Sequence, residues 1–206
     1  MSPLYLRLAL LAFALGAPTA HAIPAAAEIK RIFDALDTSR NDAIGVAEWE
    51  QASFAIFKAA DANRDNHLSR DEVNAGSISS ETFITADANH DGKLSIGEFM
   101  NLRRAVFRAA DLNGDDFLVL YEYEIFHLLA QFGWQDRNQN GRLDPSELKT
   151  ALARAFEQLD SDHDGILSPT EGAFLSGPHR AAMEKDSGRL TSEAFVAGYL
   201  RLFTGG

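Results

Sequence analysis

The stretch DANHDGKLSIGE, Asp87–Glu98, places oxygen-bearing side chains at its first, third, fifth and twelfth positions and a glycine at its sixth. The same register returns in five further windows, which start at Asp37, Asp61, Asp111, Asp136 and Asp160. Every window has Asp first, Ser, Asn or Asp third, Asn or Asp fifth, an aliphatic residue eighth and Glu twelfth. Six matches in one register indicate a repeat rather than chance acidic turns between helices.

The spacing inside each window is the one that a hard divalent cation requires. Such an ion takes six to eight oxygen ligands at about 2.3–2.6 Å. A loop wrapped around it offers side-chain oxygens from positions one, three and five, a backbone carbonyl from seven and both carboxylate oxygens from twelve. The sixth residue turns with positive φ, which favours glycine and is tolerated by Asn and Asp. Loops three, five and six have glycine there, and the other loops have Asp42, Asn66 and Asp116.

The sequence therefore predicts six metal-binding loops, with the position-seven residue contributing its backbone carbonyl. The predicted ligands are Asp37, Ser39, Asn41, Ala43 and Glu48; Asp61, Asn63, Asp65, His67 and Glu72; Asp87, Asn89, Asp91, Lys93 and Glu98; Asp111, Asn113, Asp115, Phe117 and Glu122; Asp136, Asn138, Asn140, Arg142 and Glu147; and Asp160, Asp162, Asp164, Ile166 and Glu171.

With these residues at these positions, the chain resembles the EF-hand proteins, which bind calcium in helix–loop–helix units. The resemblance implies an all-α fold of tandem EF-hand repeats with small β-bridges between loops, and up to six Ca²⁺ ions. It also implies that calcium ions are the main binding partner. The chain would then act as a calcium buffer or as a calcium-stabilised structural protein. A calcium sensor that docks an unidentified protein partner is the alternative.

The negative charge of the chain is concentrated in these loops. The formal net charge is −11, and 18 of the 30 acidic residues lie at positions one, three, five, nine or twelve of a loop. Loop one has two such carboxylates, loop six has four and the others have three each. Carboxylate counting therefore predicts that loop one binds most weakly and loop six among the most tightly.

The loop starts lie only 24 to 26 residues apart. Between loops one and two, three and four, and five and six, the 12-residue segments 49–60, 99–110 and 148–159 contain neither Gly nor Pro. Their apolar residues recur at helical spacing, so each segment is predicted to be one helix shared by two loops. Loops are then predicted to pair across the other linkers, two with three, four with five, and six with a degenerate seventh loop near 184–195.

Residues 1–22 read as a cleavable signal peptide. Arg7 precedes the apolar run Leu8–Leu15, and Ala20-His21-Ala22 is typical of a cleavage site. We therefore expect a mature EF-hand domain over 23–206 that is periplasmic or secreted. The apolar run is too short to cross a bilayer, which takes about 20 residues, and no second one follows, so no membrane span is expected. The acidic charge argues against nucleic acid as a partner.

The short spacing between loops is similar to that of a group of exported bacterial EF-hand proteins that includes the lanthanide-binding lanmodulins. Their loops carry Pro at position two and Asp at position nine. Here no loop has Pro at position two, and only loop five has Asp at position nine, as Asp144. The departure argues against lanthanide specialisation. Motifs of hydrolases, kinases and zinc proteases are absent from the sequence, so an enzyme is not expected.

Overall fold

The computed structural model describes residues 23–74, 80–138, 140, 142–185 and 188–203, and the predicted signal peptide lies outside this part. Three-residue strands alternate with helices. The helices are α1 (Ala26–Leu36), α2 (Val46–Ala60), α3 (Arg70–Asn74), α4 (Ser80–Ala86), α5 (Ile96–Ala110), α6 (Leu120–Phe132), α7 (Pro145–Leu159), α8 (Gly177–Glu184) and α9 (Ser192–Phe203). The strands are β1 (Ala43–Gly45), β2 (His67–Ser69), β3 (Lys93–Ser95) and β4 (Phe117–Val119). The predicted all-α fold with small β elements is confirmed.

The predicted shared helices are α2, α5 and α7, each of 15 residues. Each begins three residues before its predicted start, because Glu at loop position twelve belongs to the first helical turn. In α2, for example, the Glu48 carboxylate accepts the backbone N–H of Gly45, the residue before the helix, at 2.9 Å. A carboxylate in this place satisfies a backbone donor that the helix itself leaves unpaired. In these three repeats one Glu thus ends the loop and lies in the first turn of the helix.

The described chain divides into two compact units, of which the first is Asp34–Val106. One core cluster of this unit contains Ile56, Phe57, Leu68, Val73, Phe83, Leu94 and Phe99. Strands β2 and β3 pair antiparallel, with Leu68 opposite Leu94. The predicted pairing of loops two and three is therefore confirmed, and their eighth residues lie opposite each other.

A buried polar cluster also joins α2 to α5 within the first unit. The Arg103 guanidinium lies over the Trp49 ring, with Cζ 4.1 Å from a ring centroid. Trp49 Nε1 donates to the Arg103 carbonyl at 2.9 Å, and Arg103 Nε donates to Ser53 Oγ at 3.0 Å. Trp49, Ser53 and Arg103 are 1%, 0% and 3% exposed, so these contacts are made away from water, where they are strongest.

The second unit combines Ile23–Phe33 with the chain from Phe107 onward. Helices α7 and α9 pack together through Phe156 and Phe195, whose ring centroids are 5.9 Å apart. A buried carboxylate, Glu124 of α6, lies 2.6 Å from Nδ1 of His179 in α8. A buried carboxylate requires such a partner, and this one fixes α8 against α6.

The degenerate seventh loop packs as predicted. Thr191 forms an antiparallel bridge with Ile166 of loop six, and the Leu167 N–H donates to the Leu190 carbonyl at 2.9 Å. Leu190 is completely buried. The predicted pairing of loop six with this segment is confirmed.

Two features of the second unit differ from the simplest repeat. Residues 142–144 of loop five form no strand, so the predicted pairing of loops four and five is wrong. Loop six is followed by turns at 169–174, and the next helix begins only at Gly177. Among the residues that the structure describes, none of the helices is long and apolar enough to cross a membrane.

Candidate metal centres

The Asp at position one lies at the end of the incoming helix in every loop except loop five, where Asp136 comes four residues after α6 ends. In four loops its backbone N–H closes the last turn by donating to a Phe carbonyl four residues earlier, at 2.8–2.9 Å, as Asp61, Asp87, Asp111 and Asp160. Its carboxylate then turns into the loop and accepts backbone N–H groups from positions five and six. In loop six, Asp160 accepts from Asp164 and Gly165 at 3.1 and 2.9 Å. The first predicted ligand is thus held by the loop it would serve.

The Glu at position twelve closes the loop from the other side. In loop three, Glu98 Oε1 accepts the N–H groups of Ala88 and Asn89 at 3.0 and 3.2 Å, and Oε2 accepts that of Ser95 at 2.8 Å. All six loops repeat this bridge between positions two or three and position nine, through Glu48, Glu72, Glu98, Glu122, Glu147 and Glu171. The Ser95 hydroxyl also donates to Glu98 Oε2 at 2.7 Å, so these donors occupy the roughly four lone-pair sites of the carboxylate, and an ion bound there would replace some of them.

Positions three and five shape the loop through short side-chain bonds to the backbone. In loop two, Asn63 Oδ1 accepts the N–H of Asp65 at 2.8 Å, and Asp65 Oδ1 accepts the N–H of His67 at 2.9 Å. The same position-five bond orients the position-seven residue in every loop, and those residues are Ala43, His67, Lys93, Phe117, Arg142 and Ile166. The predicted side-chain ligands are therefore gathered on one ring of backbone.

Two residues of each well-described loop are left-handed, where the sequence predicted one. Position six has φ of 61–81° in loops one, two, three, four and six, at Asp42, Asn66, Gly92, Asp116 and Gly165. Position four is left-handed as well, with φ of 59–73°, at Arg40, Arg64, His90, Gly114 and His163. Sequence reasoning missed position four because four of its five residues are not glycine. In loops one and two neither position is glycine, so the backbone there is strained twice within three residues, and the surrounding hydrogen bonds must hold it.

The hydroxyls at position two of loops one and six were also missed from the sequence. Thr38 Oγ1 donates to Glu48 Oε1 at 3.0 Å, and Ser161 Oγ donates to Glu171 Oε1 at 2.7 Å. Hydrogen bonds from Ser161 and Ser168 lower the pKa of Glu171 to about 2. Bonds of this kind favour the charged carboxylate, the form that a cation needs.

Loop four is more secluded than loop six. Burial raises the pKa of Glu122 to about 7 against the opposing hydrogen bonds from the backbone N–H groups of Val119 and Leu112. Burial also raises the pKa of Asp111 above its usual value. Glu122 is fully buried, whereas Glu171 is partly exposed. The same ligand position is thus placed in different surroundings in different loops.

Loop five is only partly described, since Gln139 and the predicted turn residue Gly141 lie outside the described residues. Its Asp144 was counted as a ligand-position carboxylate. In the structure Asp144 Oδ1 accepts the N–H groups of Ser146 and Glu147 at 2.8 and 2.9 Å, capping α7. Its other oxygen accepts from Asn138 Nδ2 at 3.3 Å. Carboxylate counting therefore overstates the charge that this loop can give to an ion.

The donor set fits a hard divalent cation, because it consists of carboxylate, amide, hydroxyl and backbone carbonyl oxygens. Loop six has the densest charge. Ligand oxygens of Asp160, Asp162 and Asp164 all lie within 4.8 Å of one another. Three carboxylates held at this distance repel each other unless a cation lies between them. Glu171 would close that loop as a bidentate ligand.

The comparison with known families agrees with this geometry. The family described as EF hand matches residues 55–75, 78–102, 136–153 and 152–171. These segments contain loops two, three, five and six, while loops one and four share the geometry without a family match. Neither the curated proteins nor the solved structures that were compared gave a match. The four matches and the repeated loop geometry together support an EF-hand repeat protein with the all-α EF-hand fold.

Proposed function

We propose that this chain is an exported calcium-binding protein that acts as a buffer or as a calcium-stabilised structural protein. EF-hand repeats support calcium binding in general. The observation that carries the proposal is the bond from the position-five side chain to the backbone of position seven, which is repeated in all six loops. We extend calcium binding from the four matched loops to loops one and four, because Asp37 and Asp111 accept the same backbone donors as their counterparts. Up to six ions would then bind.

A buffer or structural role is favoured over a sensor by the apolar residues. A sensor exposes an adaptable, often Met-rich surface when it binds the ion. Past the signal peptide the chain has only Met100 and Met183, and Met183 is buried. Fluorescence of a dye that binds apolar surface, with and without Ca²⁺, separates the two roles. A large calcium-dependent increase would favour the sensor and a protein partner.

Export and ion choice are parts of the same proposal. The signal-like segment 1–22 supports a mature protein that begins at Ile23, and the mass of the protein recovered from outside the cytoplasm tests it. The oxygen ligands suit calcium, while trivalent lanthanides are expected to compete for the same sites. Competition titrations with Tb³⁺ measure that preference. The proposed role is binding rather than catalysis, because the side chains at positions one, three, five and twelve of the loops are oxygen ligands suited to a hard cation.

The first prediction compares loops six and one. We expect Glu171→Gln to remove one of the tightest calcium sites, and Glu48→Gln to remove a weak one. Loop six has four ligand-position carboxylates and loop one has two, and the substitution takes away half of a bidentate ligand and its charge. The affected site should lose on the order of 100-fold in calcium affinity. This is the upper end of the losses seen when a residue that only holds a metal ligand in place is mutated.

Calorimetric titration of the mature chain measures both effects and the number of ions bound. Each variant is the control for the other, since both lose one charge at position twelve. Loss of a tight site in Glu48→Gln but not in Glu171→Gln would show that carboxylate number does not rank these loops. A titration without calcium uptake by the parent chain would contradict the proposed function itself.

A further inference from the structure

The side chain of Lys93 reaches out of its own loop and into the neighbouring one. Lys93 is at position seven of loop three, and the antiparallel register of β2 and β3 places it opposite Ser69 of loop two. Its Nζ lies 2.8 Å from Oδ2 of Asp65, at position five of loop two. Both side chains are partly exposed, so the pair is accessible to ions from solvent.

The oxygen that Lys93 contacts is the one that loop two has left for an ion. Asp65 Oδ1 already accepts the backbone N–H of His67 at 2.9 Å. This oxygen therefore helps to hold the shape of the loop. Oδ2 is directed to the ammonium group. A divalent cation bound by Asp65 would lie within a few ångströms of Lys93 Nζ, and two like charges at that distance repel each other even in water.

The contact is not reciprocated by loop two. His67 is the position-seven residue of that loop, and its Nδ1 lies 3.0 Å from the Asp65 carbonyl of its own loop. Position seven of a paired loop therefore does not by itself bring its side chain to the neighbouring loop. The crossing depends on a long basic side chain at position seven.

A second base at position seven also reaches the preceding loop in the other unit, here without a strand pair. Arg142 of loop five lies against Gly114 of loop four, where a Cβ would be only 3.0 Å from Arg142 Cζ. The Gly114 N–H donates to Asp111 Oδ1 at 2.7 Å, so the guanidinium is placed beside the position-one carboxylate of that loop. Loops two and four each receive a base from the loop that follows.

We propose that Lys93 is a tethered cation that competes with calcium for loop two, and that Arg142 has the same role at loop four. Calcium must displace the ammonium group from Asp65 before this carboxylate can bind it fully, so loop two binds more weakly than its own ligands allow. The inference rests on the proposed calcium binding and names the residues that set its strength. Lys93 thereby serves two sites, with its backbone in loop three and its side chain in loop two.

The test is Lys93→Gln in the mature chain, with loop two followed by the NMR shift of the His67 amide during a calcium titration. We expect calcium to bind loop two about three- to tenfold more tightly, a gain typical of removing one partly exposed like charge. The control is Lys58→Gln, which removes the same charge beside the same loop. Lys58 Nζ bonds to Asn66 Oδ1 at position six, which is not a predicted ligand.

A melt in chelator gives a readout without calcium. Lys93→Gln removes an attraction there, so its melting temperature should not exceed that of the parent, although its calcium affinity rises. Equal affinities of the two lysine variants, with a responsive His67 amide, would overturn the role of Lys93 and leave calcium binding intact. A His67 amide that does not respond in the parent chain would instead contradict the proposed function at loop two.

The matching test of loop four uses Arg142→Gln and follows the amide of Asp115. The control is Arg137→Gln, which removes an exposed base at position two of loop five. Tighter binding in Arg142→Gln alone would support the proposal. Equal changes in both variants would mean that total charge, rather than the placed guanidinium, weakens loop four.

Discussion

Millimolar Ca²⁺ is expected to raise the melting temperature of the chelated mature chain by on the order of 20 °C, with a parallel gain in helix content. An ion that binds only the native state contributes about 2.7 kcal/mol per site at a hundredfold excess over Kd. Four matched loops would together contribute about 11 kcal/mol, comparable to the whole stability of a typical domain. No cysteine is present to supply a covalent alternative.

The physical reason is the density of charge inside the loops. Ligand oxygens of three aspartates lie within 4.8 Å in loop six, and their repulsion opposes the folded chain when no cation is bound. Circular dichroism melts in chelator and in Ca²⁺ measure the effect. A third melt in KCl at matched ionic strength is the control, because salt screens repulsion without binding a site. Superimposable melts in all three solutions would show that the helices are stable without ions.

Trp49→Ala is expected to have the largest effect among single substitutions outside the loops. It should lower the free energy of unfolding in saturating Ca²⁺ by about 3–5 kcal/mol, as deletion of a buried Trp or Phe side chain usually does. The change opens a cavity and leaves the Arg103 guanidinium without the ring on which it lies. Urea denaturation followed by circular dichroism measures the loss.

The chain offers a matched control in its other tryptophan. Trp134 is only partly buried and lies outside the helices, so Trp134→Ala should cost clearly less. Arg103→Lys tests the stacking itself, since Lys keeps the charge but lacks the planar group. Equal losses in the two tryptophan variants would mean that the contact between α2 and α5 has no special weight in the first unit.

The loops and shared helices could be predicted because their signals are local. The segment 148–159 has neither Gly nor Pro and carries apolar residues at helical spacing, and it is indeed the body of α7. Every loop has an aliphatic residue at position eight, and these residues are all at most 4% exposed, as Ile44, Leu68, Leu94, Leu118, Leu143 and Leu167. Local pattern decided these features before any packing was considered.

The features that were missed depend on which parts of the chain meet. Residues 142–144 of loop five form no strand, and whether a short segment becomes a strand depends on its surroundings rather than on its own sequence. The crossing of Lys93 to Asp65 follows from the register of β2 and β3, which no single loop specifies. The buried Arg103 was not predicted either, since a charged residue in a helix is usually solvated. Its site exists only where α2 and α5 meet.

The single helix α7 between loops five and six fixes the distance between these two predicted metal sites. Helix α7 carries Glu147 in its first turn and ends one residue before Asp160. Each residue added to such a helix would move the next loop by about 1.5 Å and rotate it by about 100°. Substitutions on the exposed side of α7 leave both loops where they are, whereas one inserted residue would aim loop six in another direction. The number of residues in α7 thus sets the distance and the relative orientation of loops five and six.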